Sequence, residues 1–167
     1  LAGSTFKKVY YDDLLGRAVS KFVPADDLVV PYTATSLDDA DSIIHVIKMS
    51  ENDLRKQQVG GFYNDVELGS PAIIRNEVEA KERELEGTKK TGRQESVYTL
   101  LECHVNLDLE GFEDKDASGE LTGIKLPYIV TVDEGSRKVL SIRRNFNPDD
   151  PRKNRIPYFV HFKFLPG

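Results

Sequence analysis

The chain has 167 residues, 39% of them apolar and 31% charged, with a net charge of −5. That length favours one domain, allows two small ones, and suffices for a core without covalent staples, since roughly 70% of the unfolded surface is buried at this size. The acidic balance argues against a domain built to grip a nucleic-acid backbone, and the single Cys103 excludes an internal disulfide and any multi-cysteine zinc site.

The first elements in the chain are strands. Phe6 to Tyr11 and Ala18 to Val23 are β-rich runs, and Asp12-Asp13-Leu14-Leu15-Gly16 between them predicts a hairpin turn. Leu28-Val29-Val30-Pro31-Tyr32 reads as a short strand ending at proline, and residues 33–41 as a polar turn. Ser42 to Met49 is a strand rich in β-branched residues. Ser50 then stands as an N-cap with Asp53 three residues on, and Gly60-Gly61 as a stop, so a helix is expected from Glu51 to Val59. Pro71 to Glu86 predicts a second, solvated helix, with Ile73, Ile74, Val78 and Leu85 as a thin apolar stripe and Glu77–Lys81 and Glu79–Arg83 as favourable pairs.

Residues 87–95 are polar and read as a mobile loop. Gly87 and Gly92 have the spacing of a phosphate loop, but Arg93-Gln94 stands where Lys and Ser or Thr are required. Ser96 to Leu109 alternates, with Tyr98, Leu100, Glu102, His104 and Asn106 on one face and the more apolar Val97, Thr99, Leu101, Cys103, Val105 and Leu107 on the other. Lys125 to Val132, Lys138 to Asn145 and Ile156 to Phe164 are three further strands, and Asp133-Glu134-Gly135-Ser136 turns between the first two. The expected class is α+β: mostly antiparallel strands in a meander with two short helices. They form one domain, or two lobes, 1–86 and 96–167, joined by the loop 87–95.

Little of this pattern points to chemistry. His45, His104 and His161 are scattered through strand-like runs without zinc spacing, so each is expected to be structural. Cys103 reads as a small buried hydrophobe, in keeping with a reducing compartment or one indifferent to redox state. No nucleophile elbow is present. No catalytic, cofactor-binding or metal residue is therefore nominated, and no cofactor. The weak exception is Asp114-x-Asp116-x-Ser118-Gly119-Glu120, which is similar to the first half of a calcium loop. The position that should supply a bidentate Glu holds Lys125. A calcium-dependent β-rich binding module is the alternative reading, and a plain acidic loop the bland one. Arg143, Arg144, Arg152, Lys153 and Arg155 are the candidates for a local basic patch, and the scattered Tyr and Phe residues for core and interface packing.

No run approaches the ~18 apolar residues of a membrane span. The start, Leu1-Ala2-Gly3-Ser4, has no initiator Met and no signal-peptide pattern, and the end, Phe164-Leu165-Pro166-Gly167, cuts off an apolar run. A fragment of a longer protein is the expectation.

Three stretches carry a resemblance. They are Phe6-Lys7-Lys8-Val9-Tyr10-Tyr11-Asp12 with Leu15-Gly16-Arg17; Phe22-Val23-Pro24-Ala25-Asp26-Asp27-Leu28-Val29-Val30-Pro31-Tyr32; and His45-Val46-Ile47-Lys48-Met49-Ser50-Glu51-Asn52-Asp53-Leu54-Arg55-Lys56. With Leu126-Pro127-Tyr128-Ile129-Val130-Thr131-Val132 and the final run from Tyr158, the chain resembles portal proteins of short-tailed bacteriophages and related prophages. The resemblance is weakest over 87–95 and 113–123. It implies a wing-like part of a closed ring, usually of twelve copies, at one capsid vertex. The ring docks the packaging motor (the terminase), passes the genome in both directions, and contacts capsid and tail proteins. It implies no enzyme activity in this chain, no tight hold on DNA and no membrane. The location implied is the virion, and the host cytoplasm during assembly.

Overall fold

A computed structural model describes residues 4–12, 15–73 and 96–163. Among these are nine strands and one α-helix, arranged as two antiparallel sheets packed face to face. The smaller sheet has the order β2-β1-β9, with β1 Ser4–Asp12, β2 Arg17–Val23 and β9 Phe159–Lys163. The larger runs β3-β4-β6-β7-β8, with β3 Leu28–Val29, β4 Ser42–Ser50, β6 Ser96–Leu107, β7 Leu126–Asp133 and β8 Val139–Arg144. A two-residue strand, β5 Ala72–Ile73, pairs with the start of β6. Segments 1–86 and 96–167 share both sheets, because β1 pairs with β9 and β4 with β6.

The α+β expectation with two short helices is overturned. The described residues are mostly antiparallel β with a single α-helix, α1, Glu51–Val59. That helix has the predicted limits, and its cap is the predicted one: Ser50 Oγ accepts from the Asp53 backbone N–H at 3.2 Å. The second helix fails where it was to begin. Pro71 suits the first turn of a helix and the entry to a strand equally well, and Ala72 and Ile73 pair with Val97 and Ser96 instead. The rest of that expected helix, and the loop 87–95, lie outside the described residues.

The first hairpin turns at Leu15-Gly16, where the Leu15 N–H is accepted by Asp12 Oδ1 at 3.1 Å and Gly16 has φ +61°. The strand expected over 28–32 is only two residues long; Pro31 has no N–H to extend the ladder. The turn after β7 is held by Asp133, whose Oδ2 accepts from the Ser136 N–H at 2.7 Å. A shift in register between Thr131 and Val132 then places Leu140, fully buried, beneath α1 beside Leu54, Tyr63 and Leu100. A second apolar cluster joins the sheets through Val23, Leu28, Ala40, Ile43 and Phe159. A third, Leu126, Tyr128 and Phe146, lies on the far face of the larger sheet.

Candidate functional site

Alternation along β6 sends Leu100, Glu102 and His104 toward the smaller sheet and Leu101, Cys103 and Val105 away from it. The second set is the more apolar, yet it is only half-buried, whereas Glu102 and His104 keep 4% and 1% of their surface. Sheet-on-sheet packing explains the inversion. The smaller sheet covers the face that bears the polar residues and brings them a partner.

That partner is Lys8, on the inward face of β1 and 8% exposed. Its Nζ lies 2.6 Å from Glu102 Oε1 and 2.7 Å from Oε2. Oε1 also meets His104 Nε2 at 2.8 Å, and Asn145 Nδ2 donates to His104 Nδ1 at 3.4 Å. Since a carboxylate only accepts, the contact with Glu102 places a proton on His104 Nε2. The result is a buried Lys8–Glu102–His104–Asn145 chain from one sheet to the other.

Burial works against both charges of the ion pair, and the outcome differs between them. For Glu102 the bonds from His104 and Lys8 outweigh desolvation, and its pKa falls to about 2. Lys8 has one carboxylate against desolvation and the repulsion of Arg143 and Lys21, and its pKa is lowered. Burial also pushes the Tyr63 hydroxyl up to about 12. It brings His45 down to about 4, with the Lys8 charge acting in the same direction. Every polar atom of Glu102 is engaged by its neighbours, an arrangement suited to a latch between sheets.

Two cavities flank this chain. One, of about 220 Å³, is bordered by His104, Ile43, Arg155, Tyr158 and Phe159. The other, of about 170 Å³, opens between the sheets and is walled by Lys8, Tyr10, Lys21, His45, Tyr63 and Arg143, among others. In the second, the Arg143 guanidinium lies 4.2 Å from the centre of the Phe62 ring, and Lys8 and Lys21 sit 5.0 and 5.6 Å from the Tyr10 ring.

The histidines are less scattered than their spacing implies. His45 and Glu102 are cross-strand partners, so His45 and His104 share the inner face. His161 stacks on Phe6 at 4.7 Å on the facing sheet. Cys103 is half-buried on the outer face, and burial raises its pKa. Of the five basic residues near the C-terminus, Arg152, Lys153 and Arg155 border one surface recess, beside Asp38, Asp39 and Asp41, and Arg143 and Arg144 do not join them. Arg143 and Arg144 point to opposite faces, and Arg155 donates to the carbonyls of Ala40 and Leu37 at 2.9 and 2.7 Å.

The calcium candidates Asp114, Asp116, Ser118 and Glu120 sit on an exposed hairpin bridged by Lys115 and Leu121. Asp116 Oδ1 accepts from Ser118 N–H, Ser118 Oγ and Glu120 N–H at 2.8, 2.6 and 3.0 Å, and Asp114 Oδ2 accepts from Thr122 Oγ1 at 2.7 Å. Both aspartates are thus engaged by their own loop. Among the described residues no three His, Cys, Asp or Glu side chains gather to hold a metal ion, and no helix is long and apolar enough to cross a membrane.

The residues that sequence reasoning missed are Lys8, Glu102 and Asn145; Arg143 was nominated only for a basic patch with Arg144, Arg152, Lys153 and Arg155. The available signal was the Glu102-x-His104 pair, which any strand must place on one face. The residue that would answer it, Lys8, is 94 positions away. No protein-family model matches the chain, and no curated protein matches it in sequence.

Proposed function

We propose that this chain is a structural, non-catalytic module of the portal ring of a short-tailed bacteriophage. The ring would serve genome packaging and ejection and join head to tail, with a packaging motor, capsid and tail proteins as partners. The reading starts from the resemblance of the β1–β3 and β4–α1 segments. What supports it is the outward face of the smaller sheet. Register puts Val9, Tyr11, Phe22, Val160 and Phe162 on that one side, with Tyr11 and Phe22 each 63% exposed. Lys7 stands between Phe22 and Val160 on this face, its Nζ 5.4 Å from the centre of the Phe162 ring, and exposed large apolar side chains gathered on one side call for a covering surface. A head-to-tail ring supplies one at every subunit boundary.

The test is assembly. The portal polypeptide that carries this segment is expected to form closed rings by electron microscopy and light scattering, and Phe22→Lys to reduce them. A parent protein that stays monomeric at high concentration overturns the proposal.

A further inference from the structure

The cleft of about 170 Å³ carries more positive charge than it neutralises. Lys8 and Lys21 border it from the smaller sheet and Arg143 from the larger, and the carboxylates beside it are Glu102 and Asp12. Glu102 is taken by Lys8. Neither Lys21 nor Arg143 has an ion-pair partner among the described residues. Both cations bear on Lys8, where their repulsion adds to desolvation. Three cations against two carboxylates leave a positive recess in a chain whose net charge is −5.

Two residues of its lining also carry buried polar atoms that lack a protein partner. Arg143 Nε and His45 Nδ1 are both buried without one. A guanidinium N–H is always a donor, and stranding it costs about as much as a lost hydrogen bond. Stacking on Phe62 holds the guanidinium plane in place without using any of its N–H groups. Lys21 and Arg143 bring donors and positive charge to these walls, so the matching ligand is an acceptor-rich anion. The volume is below the several hundred Å³ of a pocket for a drug-sized ligand, which restricts the guest to a single small group.

We propose that this cleft binds a phosphate-class oxyanion, with Lys21 and Arg143 as its principal contacts and His45 beside them. Phosphate carries roughly −1.5 to −2 charges near neutral pH and several acceptor oxygens, against one charge for a carboxylate. It therefore answers both unpaired cations at once. The source is either free inorganic phosphate or the phosphoryl head of a small monoester.

Calorimetric titration of the full chain with inorganic phosphate, at constant ionic strength, tests this. Saturable single-site binding is expected, weakened about tenfold by Lys21→Gln, the loss of one charge-assisted hydrogen bond. Arg143→Gln is expected to abolish it. Circular dichroism checks that both variants fold, and the exposed Lys21 keeps the test decisive should Arg143→Gln unfold. Absence of heat at millimolar phosphate overturns the proposal, as does equal binding of chloride or an unchanged affinity in Lys21→Gln. Glycerol phosphate separates the sources: tighter binding than inorganic phosphate assigns the site to a monoester, and equal or weaker binding to the free ion.

Discussion

At the scale of single residues, the buried ion pair is the most consequential feature. Taking Lys8 and Glu102 out of water costs several kcal/mol each, and their attraction returns that only while both are present. Glu102→Gln is therefore expected to destabilise the chain by roughly 3–5 kcal/mol in urea unfolding. The double variant Lys8→Met/Glu102→Leu should recover most of that loss, since neither charge remains buried. If the double variant is as unstable as the single one, the pair contributes more than mutual neutralisation. Acid should act in two stages. His45 has an ordinary pKa of 6.5 and a folded value of about 4, so the unfolded chain takes up its proton first. Stability is then lost as pH falls from 6.5 toward 4. Glu102, ordinarily 4.5 and about 2 when folded, adds stability that is whole above 4.5 and lost as pH falls through 2. Thermal melts across this range should show both stages in the parent chain and only the lower one in His45→Gln.

At the scale of elements, α1 shows local chemistry deciding local structure. Ser50 Oγ accepts from the Asp53 N–H and donates to its carboxylate at 2.9 Å, and Asp53 in turn holds Lys56 at 3.0 Å. Ser50→Ala should cost about 1 kcal/mol, read from the urea midpoint at unchanged slope; a change below about 0.3 kcal/mol would assign the helix start to the packing of Leu54 instead. Strand β6 is the opposite case. Its alternation was plain in the sequence, but which face is covered depends on the smaller sheet, whose strands come from both ends of the chain. Strand β5 makes the same point, since its two residues are defined by pairing with β6 rather than by their own propensity.

At the scale of the molecule, two closed surfaces contrast with one open one. The inner faces of the sheets meet through apolar contacts at one end and the ionic chain at the other, with the cleft beside that chain, while the outer face of the smaller sheet presents aromatic and branched side chains to water. Phe22→Lys removes exposed apolar area without opening a cavity. The chain's own stability should stay within about 0.5 kcal/mol, even as the ring assembly proposed above declines. A large loss of stability would mean that Phe22 packs within the chain and would withdraw this face from the proposed subunit contact.

The sequence by itself determined those features whose causes lie within a few residues: the capped helix from Glu51 to Val59, the turns at Gly16 and Asp133, and most strand positions. Tertiary structure alone decided that Ala72 and Ile73 pair as a strand where a second helix was expected, the covered face of β6, and the meeting of Lys8 with Glu102 and of Lys21 with Arg143 around one cleft. The physical reason is range. Capping and turn bonds join neighbours and leave a local pattern, whereas a strand's buried face and an ion pair's partner are set by segments that meet only once the two sheets have packed.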